Sequence, residues 1–384
     1  MSINLRCPIS SLGIGCWSAQ FANALARHCD LRLDTSMQFD PIGFEDFQGL
    51  RPCLKQLASK PLDIDAPTIS LGQAYPVYIA NYGHPRIIYP IWETTQLYPH
   101  EKELIQRADY VWAPSNWAKR ILEDNGITGR ISVVPLGVDT EFYCPQGRGQ
   151  SYLASELATL RTEGYKIFFS GGKFEKRKGH HLILDTLSKF FTDQKICLLA
   201  HWDNPFIQQF DRFLGKLLMD HGCCEVKLLD ETRHYSMDNI RIFPIPRVNS
   251  FKTVRSLYAE ADFGLFPAFA EGWNLPLIEM MSMEKPCIAT NYSAHTDFID
   301  RHSPLTIQQS EGQMVPANDG VWFHGDRGDW FEPTSWSFKE KIELALNMNE
   351  TEIASLGILS RDSVREFTWD NAAAKAMELL EIGA

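Results

Sequence analysis

Short apolar runs alternate with amphipathic stretches along most of this chain. Ile3–Ile9 is the first such run and reads as a strand. The small-residue loop Ser10-Ser-Leu-Gly13-Ile-Gly15 follows, then a helical run over Ala19–Leu25 and a second strand over Leu31–Asp34. Strand, glycine loop, helix and strand in that order make a Rossmann-like unit. Further runs cover Val77–Ala80, Arg86–Ile91, Asp109–Pro114 and Ile131–Pro135, with a helix capped by Ser115 between the last two. Leu54–Ala66 is polar and flanked by prolines. A second set of strands is expected at Lys166–Ser170, Ile196–Ala200, Arg241–Pro244, Phe263–Phe266 and Pro286–Thr290. Their connections are of helix length, so the sheet should be parallel. The pattern is α/β, with two Rossmann-like domains of parallel sheets facing one another. The stretch from Tyr143 to Arg161 carries prolines and glycines and no strand. It puts the boundary between residues 1–160 and 161–365.

Composition narrows the function. The 384 residues carry a net charge of −11, which argues against nucleic acid as a partner. Nine cysteines are scattered without a C-x-x-C pair, so neither a zinc site nor a disulfide framework is expected. No basic, apolar leader opens the chain and no run approaches a membrane span, so a cytoplasmic protein is expected. Asp63-Ile-Asp65 matches a metal-binding D-x-D pair, but it lies between Pro61 and Pro67 and is set aside as chance.

The chemistry concentrates in two loops. In the first, Phe263–Phe266 runs into Glu271-Gly-Trp-Asn-Leu-Pro276-Leu-Ile-Glu279, a strand leading through a turn to a helix N-terminus. Glu279 is placed in the first helical turn, where it suits a ribose diol; Glu271 suits sugar hydroxyls. The alternative is a capped helix with two solvated glutamates. In the second, Gly171-Gly172-Lys173-Phe-Glu-Lys-Arg-Lys178-Gly179 follows a strand and precedes a helix. Four cations crowd there, and like charges repel unless an anion screens them. A diphosphate fits, with Lys173 and Lys178 as its partners and as stabilisers of charge on a departing diphosphate. Lys176 and Arg177 are read as solvated. In the first half, Trp92 and Glu93 follow a strand end, where Trp92 could stack on an acceptor sugar and Glu93 could bond a hydroxyl, or both could be ordinary core and surface residues. Gly13 and Gly15 would let a ligand approach the backbone, or merely shape a turn.

Taken jointly and in order, Gly172-Lys173, Lys178-Gly179 and the Glu271–Glu279 loop resemble the retaining GT-B glycosyltransferases of family 4. Pro114-Ser115, Pro135-Leu-Gly-Val-Asp139 and Lys285-Pro-Cys-Ile-Ala-Thr add to the likeness. The resemblance implies a hexosyltransferase that needs no metal and no cofactor beyond a nucleotide-sugar co-substrate, with UDP-glucose favoured. It implies that Lys173, Lys178 and Glu271 act on the reacting groups. Gly13, Gly15, Gly172, Gly272, Trp273, Asn274, Leu275, Pro276 and Glu279 would contact the donor, with Arg247 and Val248 near its base. The acceptor would be a saccharide or lipid-linked saccharide, with peripheral membrane contact in the second case. The last helix, about 366–384, would cross back to the first domain. Departures from the pattern resemble a subset found with polysaccharide assembly, of the cyanobacterial heterocyst-envelope type. Where the family places a histidine at an N-domain strand end, this chain reads Trp92-Glu93, so that histidine is either displaced or absent. His84 lies on the preceding turn, and His295 is read as a structural histidine. Two other functions compete: an NAD-dependent oxidoreductase using the Gly13 loop, and a non-catalytic sugar-nucleotide-binding protein.

Overall fold

The structure is a computed structural model, and it describes residues 1–227 and 233–383. The first domain holds β1 (Ser2–Arg6), α1 (Gly13–Leu25), β2 (Asp30–Asp34), α2 (Leu50–Ser59), β3 (Thr68–Gly72), β4 (Arg86–Pro90), α3 (Pro99–Gln106), β5 (Tyr110–Ala113), α4 (Asn116–Asp124) and β6 (Ile131–Val133). Its six strands form one parallel sheet in the order β2-β1-β3-β4-β5-β6. After α5 (Ala154–Thr162) the second domain begins. It holds β7 (Lys166–Lys173), α6 (His180–Phe190), β8 (Ile196–Asp203), α7 (Phe210–Asp220), β9 (Cys224–Lys227), β10 (Arg233–Met237), β11 (Ile240–Pro244), α8 (Phe251–Glu260), β12 (Phe263–Phe266), α9 (Leu275–Ser282), β13 (Cys287–Thr290) and β14 (Thr306–Ile307). The eight strands run β14-β13-β12-β7-β8-β11-β10-β9. A separate hairpin, β15 (Gly312–Pro316) and β16 (Asp329–Pro333), precedes α10 (Ser335–Asn347), α11 (Glu350–Val364) and α12 (Trp369–Gly383).

Each sheet is buried on both faces, as parallel sheets with helical crossovers must be. Ile3, Leu5, Ile69, Leu71 and Tyr89 are sealed in the first domain; Ile167, Phe169, Leu198 and Leu265 in the second. The chain then returns to the first domain: the Val138 amide donates to Phe367 O at 2.9 Å, and α12 packs on α1.

Four local expectations change. Val77–Ala80 is not a strand but a 3-10 turn over Pro76–Tyr78. The strand beside it is β3, whose polar Thr68 and Ser70 break the apolar pattern. Both are buried and bonded, Thr68 to Asn4 and Ser70 to the Ala80 amide. The second sheet is mixed, because β9 and β10 add antiparallel at one edge. Finally β7 runs through Gly171, Gly172 and Lys173, so these residues end a strand rather than open a loop.

Candidate functional site

The carboxyl ends of β7, β12 and β4 meet at the seam between the domains. From β7 comes a 3-10 turn, Lys176–Lys178, closed by Gly179 at φ 71°. A Cβ at Gly179 would overlap the Pro267 carbonyl, so this turn can sit against the strand β12 exit only with glycine there. The turn drives Arg177 inward. Contrary to the solvated residue expected, Arg177 is 4% exposed and forms the hub of the site. Its Nη1 donates to Glu271 Oε2 at 2.7 Å and to Ala270 O at 2.8 Å. Its Nη2 lies 3.0 Å from both Glu175 Oε2 and Glu93 Oε1. Lys178 Nζ completes Glu271 from the other side at 2.6 Å. The Lys178 stem runs along Gly172, where a Cβ would come within 3.1 Å of it. Lys173 pairs with Glu175 at 2.6 Å and is a third exposed at the rim.

The crowding of positive charge is therefore balanced from within: three cations meet Glu93, Glu175 and Glu271. Burial alone would raise the Glu271 carboxyl, but Lys178 and Arg177 overcome it and hold it down at about 2. Glu93 goes the other way. Burial raises it, Arg177 opposes, and the Glu271 and Glu175 charges push it up again. Two carboxylates sharing one guanidinium are thus set apart, with Glu271 the firm anion and Glu93 the weaker acid.

Glu279 sits one turn deeper than expected, as the fifth residue of α9 rather than in its first turn. It accepts from Tyr258 Oη at 2.8 Å and lines a cavity between the domains with Cys16, Gln20, Tyr143, Leu275 and Trp369. Burial pushes it up to about 8 against hydrogen bonds from Tyr258 and Tyr143. Arg247, on the loop after β11, is exposed and reaches across the seam to Ser11 Oγ at 2.9 Å, beside Gly13 at the start of α1. Val248 next to it is half-buried against the core. His201, near the end of β8, is lowered to about 4 by burial and by the Arg247 charge, and its Nε2 has no hydrogen-bond partner among the described residues.

Several residues expected at a ligand do something else. Trp92 is 4% exposed and packs in the core, so it offers no face to a sugar. Trp273 is 2% exposed and wedged between Phe298 and Phe367, with ring centroids at 5.0 and 5.5 Å. A Cβ on Gly272 would overlap Ile91, so this glycine serves the approach of the first domain. Gly15 similarly makes room for the Ser10 backbone, whereas Gly13 stands open with nothing near its Cβ position. Asn274 is held at φ 88° as the cap of α9, its Oδ1 accepting from Leu277 N at 3.4 Å. Its Nδ2 meets His295 Nε2 at 3.0 Å, and His295 Nδ1 meets Thr290 O at 3.1 Å. A carbonyl only accepts, so Nδ1 carries the proton and His295 is a satisfied structural residue, as its sequence context suggested. Half-buried Pro276 follows Leu275 in the first turn of α9. His84 is exposed beside Asp109, away from the seam. Asp63 and Asp65 lie at the amino end of β3, where Asp63 O accepts from Asn4.

Nicotinamide dinucleotides bind through an acidic residue closing the second strand. Here that residue, Asp34, is consumed by Arg6 at 2.6 Å, by Tyr82 and by the Ser36 amide at 2.9 Å. The oxidoreductase reading loses its ribose anchor. Among the described residues no helix is long and apolar enough to cross a membrane.

Arg177, Glu175, Tyr258, Tyr143 and His201 were missed in the sequence. Arg177 is indistinguishable there from its two lysine neighbours, and only the turn geometry selects it. Tyr258 and Glu279 are 21 positions apart with no shared motif.

Residues 227–321 match the family profile of glycosyl transferases group 1; of these, 228–232 lie outside the described residues. No curated protein sequence matches the chain. Solved structures match its full length. Sucrose-phosphate synthase from Thermosynechococcus elongatus aligns at TM-score 0.65 and 13% identity, over 99% of this chain and 98% of that one. Anabaena Alr3699/HepE in complex with UDP-glucose aligns at 0.64 and 14%, over 99% of both. An α,α-trehalose-phosphate synthase (UDP-forming) from Burkholderia xenovorans, in complex with glucose-6-phosphate, aligns at 0.66 and 12%, over 99% and 100%. At such identities the likeness is one of fold: the chain is a two-domain α/β protein of GT-B architecture, and a glycosyl transferases group 1 segment occupies part of its second domain.

Proposed function

We propose that this protein is a retaining glycosyltransferase of the family 4 kind. It would move a hexose, glucose, from a UDP-linked donor to a saccharide or lipid-linked saccharide during polysaccharide assembly. The observation that carries the reading is the Lys178–Glu271 contact at 2.6 Å, at strand ends facing the other domain. It brings an ammonium and a carboxylate from two separate motifs to one point of the seam. A nucleotide-sugar needs both, a cation for its diphosphate and an anion for its sugar hydroxyls. The structure in complex with UDP-glucose supports glucose as the sugar and UDP as the carrier.

In this scheme Lys178 neutralises the diphosphate as the bond between the anomeric carbon and phosphate oxygen breaks, while Lys173, given the same role by the resemblance, stays paired with Glu175 at the rim. The acceptor oxygen forms its bond to the same carbon on the same face, and its proton passes to the departing diphosphate oxygen. UDP and a glycoside of unchanged anomeric configuration result. Arg177 keeps Glu271 ionised and aimed. Glu279 and Tyr143 line the cavity where a ribose diol would lie, with Tyr258 bonded to Glu279 from behind. The scheme has no metal step: the Lys178 ammonium would meet the leaving diphosphate instead. Closure of the seam would exclude water and limit donor hydrolysis.

The test is UDP release from UDP-glucose with an oligosaccharide acceptor, run beside GDP- and ADP-glucose, with the product anomer assigned by NMR. UDP-dependent turnover to an α-linked product is expected. Turnover with none of the three donors, across a panel of acceptors, refutes the enzyme reading. Donor binding without turnover would leave a non-catalytic sugar-nucleotide-binding protein.

A further inference from the structure

The β15–β16 hairpin does not belong to either sheet. Its loop crosses to the first domain and is fastened there. Gln96 N donates to Arg327 O at 3.0 Å, Asp329 N to Thr95 Oγ1 at 2.7 Å and Trp330 Nε1 to Glu93 O at 2.8 Å. Arg327 makes a buried pair with Glu101 at 2.5 Å. A loop anchored this firmly should bury its aromatic residues, and Phe323 and Trp330 do pack edge to face at 5.2 Å. Trp322 does the opposite. It is 45% exposed, and it is held out by a turn in which Asp319 Oδ1 accepts from the amides of Val321, Trp322 and Phe323 at 2.8–2.9 Å. Across from it stands Phe206, 59% exposed, on the loop leaving β8. The two rings meet at 4.9 Å and 65°, which makes an open corner. Lys173 Nζ lies 5.4 Å from both ring centroids while paired with Glu175.

We infer that Trp322, Phe206 and the Lys173–Glu175 pair form a binding subsite for a neutral pyranose ring at the mouth of the seam. The corner supplies apolar ring surface for the C–H face of a sugar. The ion pair supplies donors and acceptors for its hydroxyls, the mixture that small-molecule sites use for orientation. Lys173 is already neutralised by Glu175, so the corner has no spare charge to hold an anion. Two half-exposed rings offer on the order of 200 Å², far below the roughly 1,000 Å² of a stable protein interface. A protein partner is therefore disfavoured. The subsite joins the proposed donor site through Glu175, which Arg177 links to Glu271 and Glu93. Naming its occupant the acceptor rests on the transferase reading; binding of the saccharide does not.

The experiment is saturation-transfer NMR on the full chain without nucleotide, using glucose, maltotetraose and cellotetraose, with Trp322→Ala, Phe206→Ala and Trp336→Ala in parallel. Trp336 is also exposed, at 58%, and has the Lys339–Glu343 pair and Phe190 beside it, but it stands on α10 away from the hairpin loop and the seam, and so serves as the control for an aromatic and ion pair elsewhere on the surface. The expected result is transfer to at least one saccharide, reduced fivefold or more by Trp322→Ala and by Phe206→Ala, and unchanged by Trp336→Ala. No transfer from any of the three saccharides overturns the subsite, as does equal loss in the Trp336 control. A UDP titration of the same samples reads the donor site separately. UDP binding without saccharide transfer sinks this inference alone, and transfer without UDP binding sinks the transferase reading alone.

Discussion

Replacing Arg177 by methionine is the sharpest perturbation of the site. The guanidinium is 4% exposed and reaches three carboxylates and one carbonyl at 2.7–3.0 Å. Methionine fills most of the volume, so the cost is electrostatic. Glu271 keeps Lys178 and Glu175 keeps Lys173, but Arg177 is the only ion-pair partner of Glu93 among the described residues. An uncompensated charge in a buried pair costs about 3–5 kcal/mol. Domains of this size lose roughly 2–4 °C per kcal/mol, so the melting point should fall by about 6–20 °C. Urea unfolding at pH 7 with fluorescence and circular dichroism together measures the loss. The deficit should shrink as the pH is lowered, because burial already raises the Glu93 carboxyl and losing Arg177 removes what opposes that rise, so acid lets it shed its charge. Adding Glu93→Gln to Arg177→Met should restore part of the loss, since the stranded carboxylate is then gone. A change under about 1 kcal/mol, or no recovery in the double variant, refutes the hub.

Three further outcomes follow from the geometry. Glu279 rises to about 8, so it is largely protonated at neutral pH; a ribose diol donating to it favours the ionised form. UDP affinity should therefore increase from pH 6.5 to 8.5 with proton release, seen by calorimetry in two buffers of different ionisation enthalpy, and Glu279→Gln should remove its share. The sign for stability is opposite. A raised folded pKa gives stability that is full below the ordinary 4.5 and lost as pH rises through about 8. Gly272→Ala drives a methyl into Ile91 and should cost about 1–3 kcal/mol in denaturant unfolding. Arg327→Met strands Glu101, costs about 3–5 kcal/mol, and should raise hydrogen exchange over 93–101 and 317–329 first.

The sheets were legible because fully buried strands read as apolar runs: Phe263–Phe266 was placed to the residue. β3 was not legible, since Thr68 and Ser70 satisfy their hydroxyls inside the core, a solution that pattern cannot show. The two chemical loops were found from their charges and glycines, and Lys178 and Glu271 do come together. The interior hub was missed because three consecutive cations look alike on paper. A one-turn 3-10 segment, closed by Gly179, decides which of them faces in. The side chains of Trp92 and Trp273 and the space beside Gly272 are taken up by packing, for one shared reason. The seam between domains needs its own packing, and motif residues provide it.

The central claim is that Lys178 and Glu271 form a receiving point for a nucleoside diphosphate sugar. Calorimetric titration of UDP into the native chain and into Lys178→Met tests it most directly. Losing one charge-assisted hydrogen bond, worth about 1.5–3 kcal/mol, should weaken binding roughly 10- to 150-fold. No binding to the native chain, or equal affinity in the two proteins, contradicts the account.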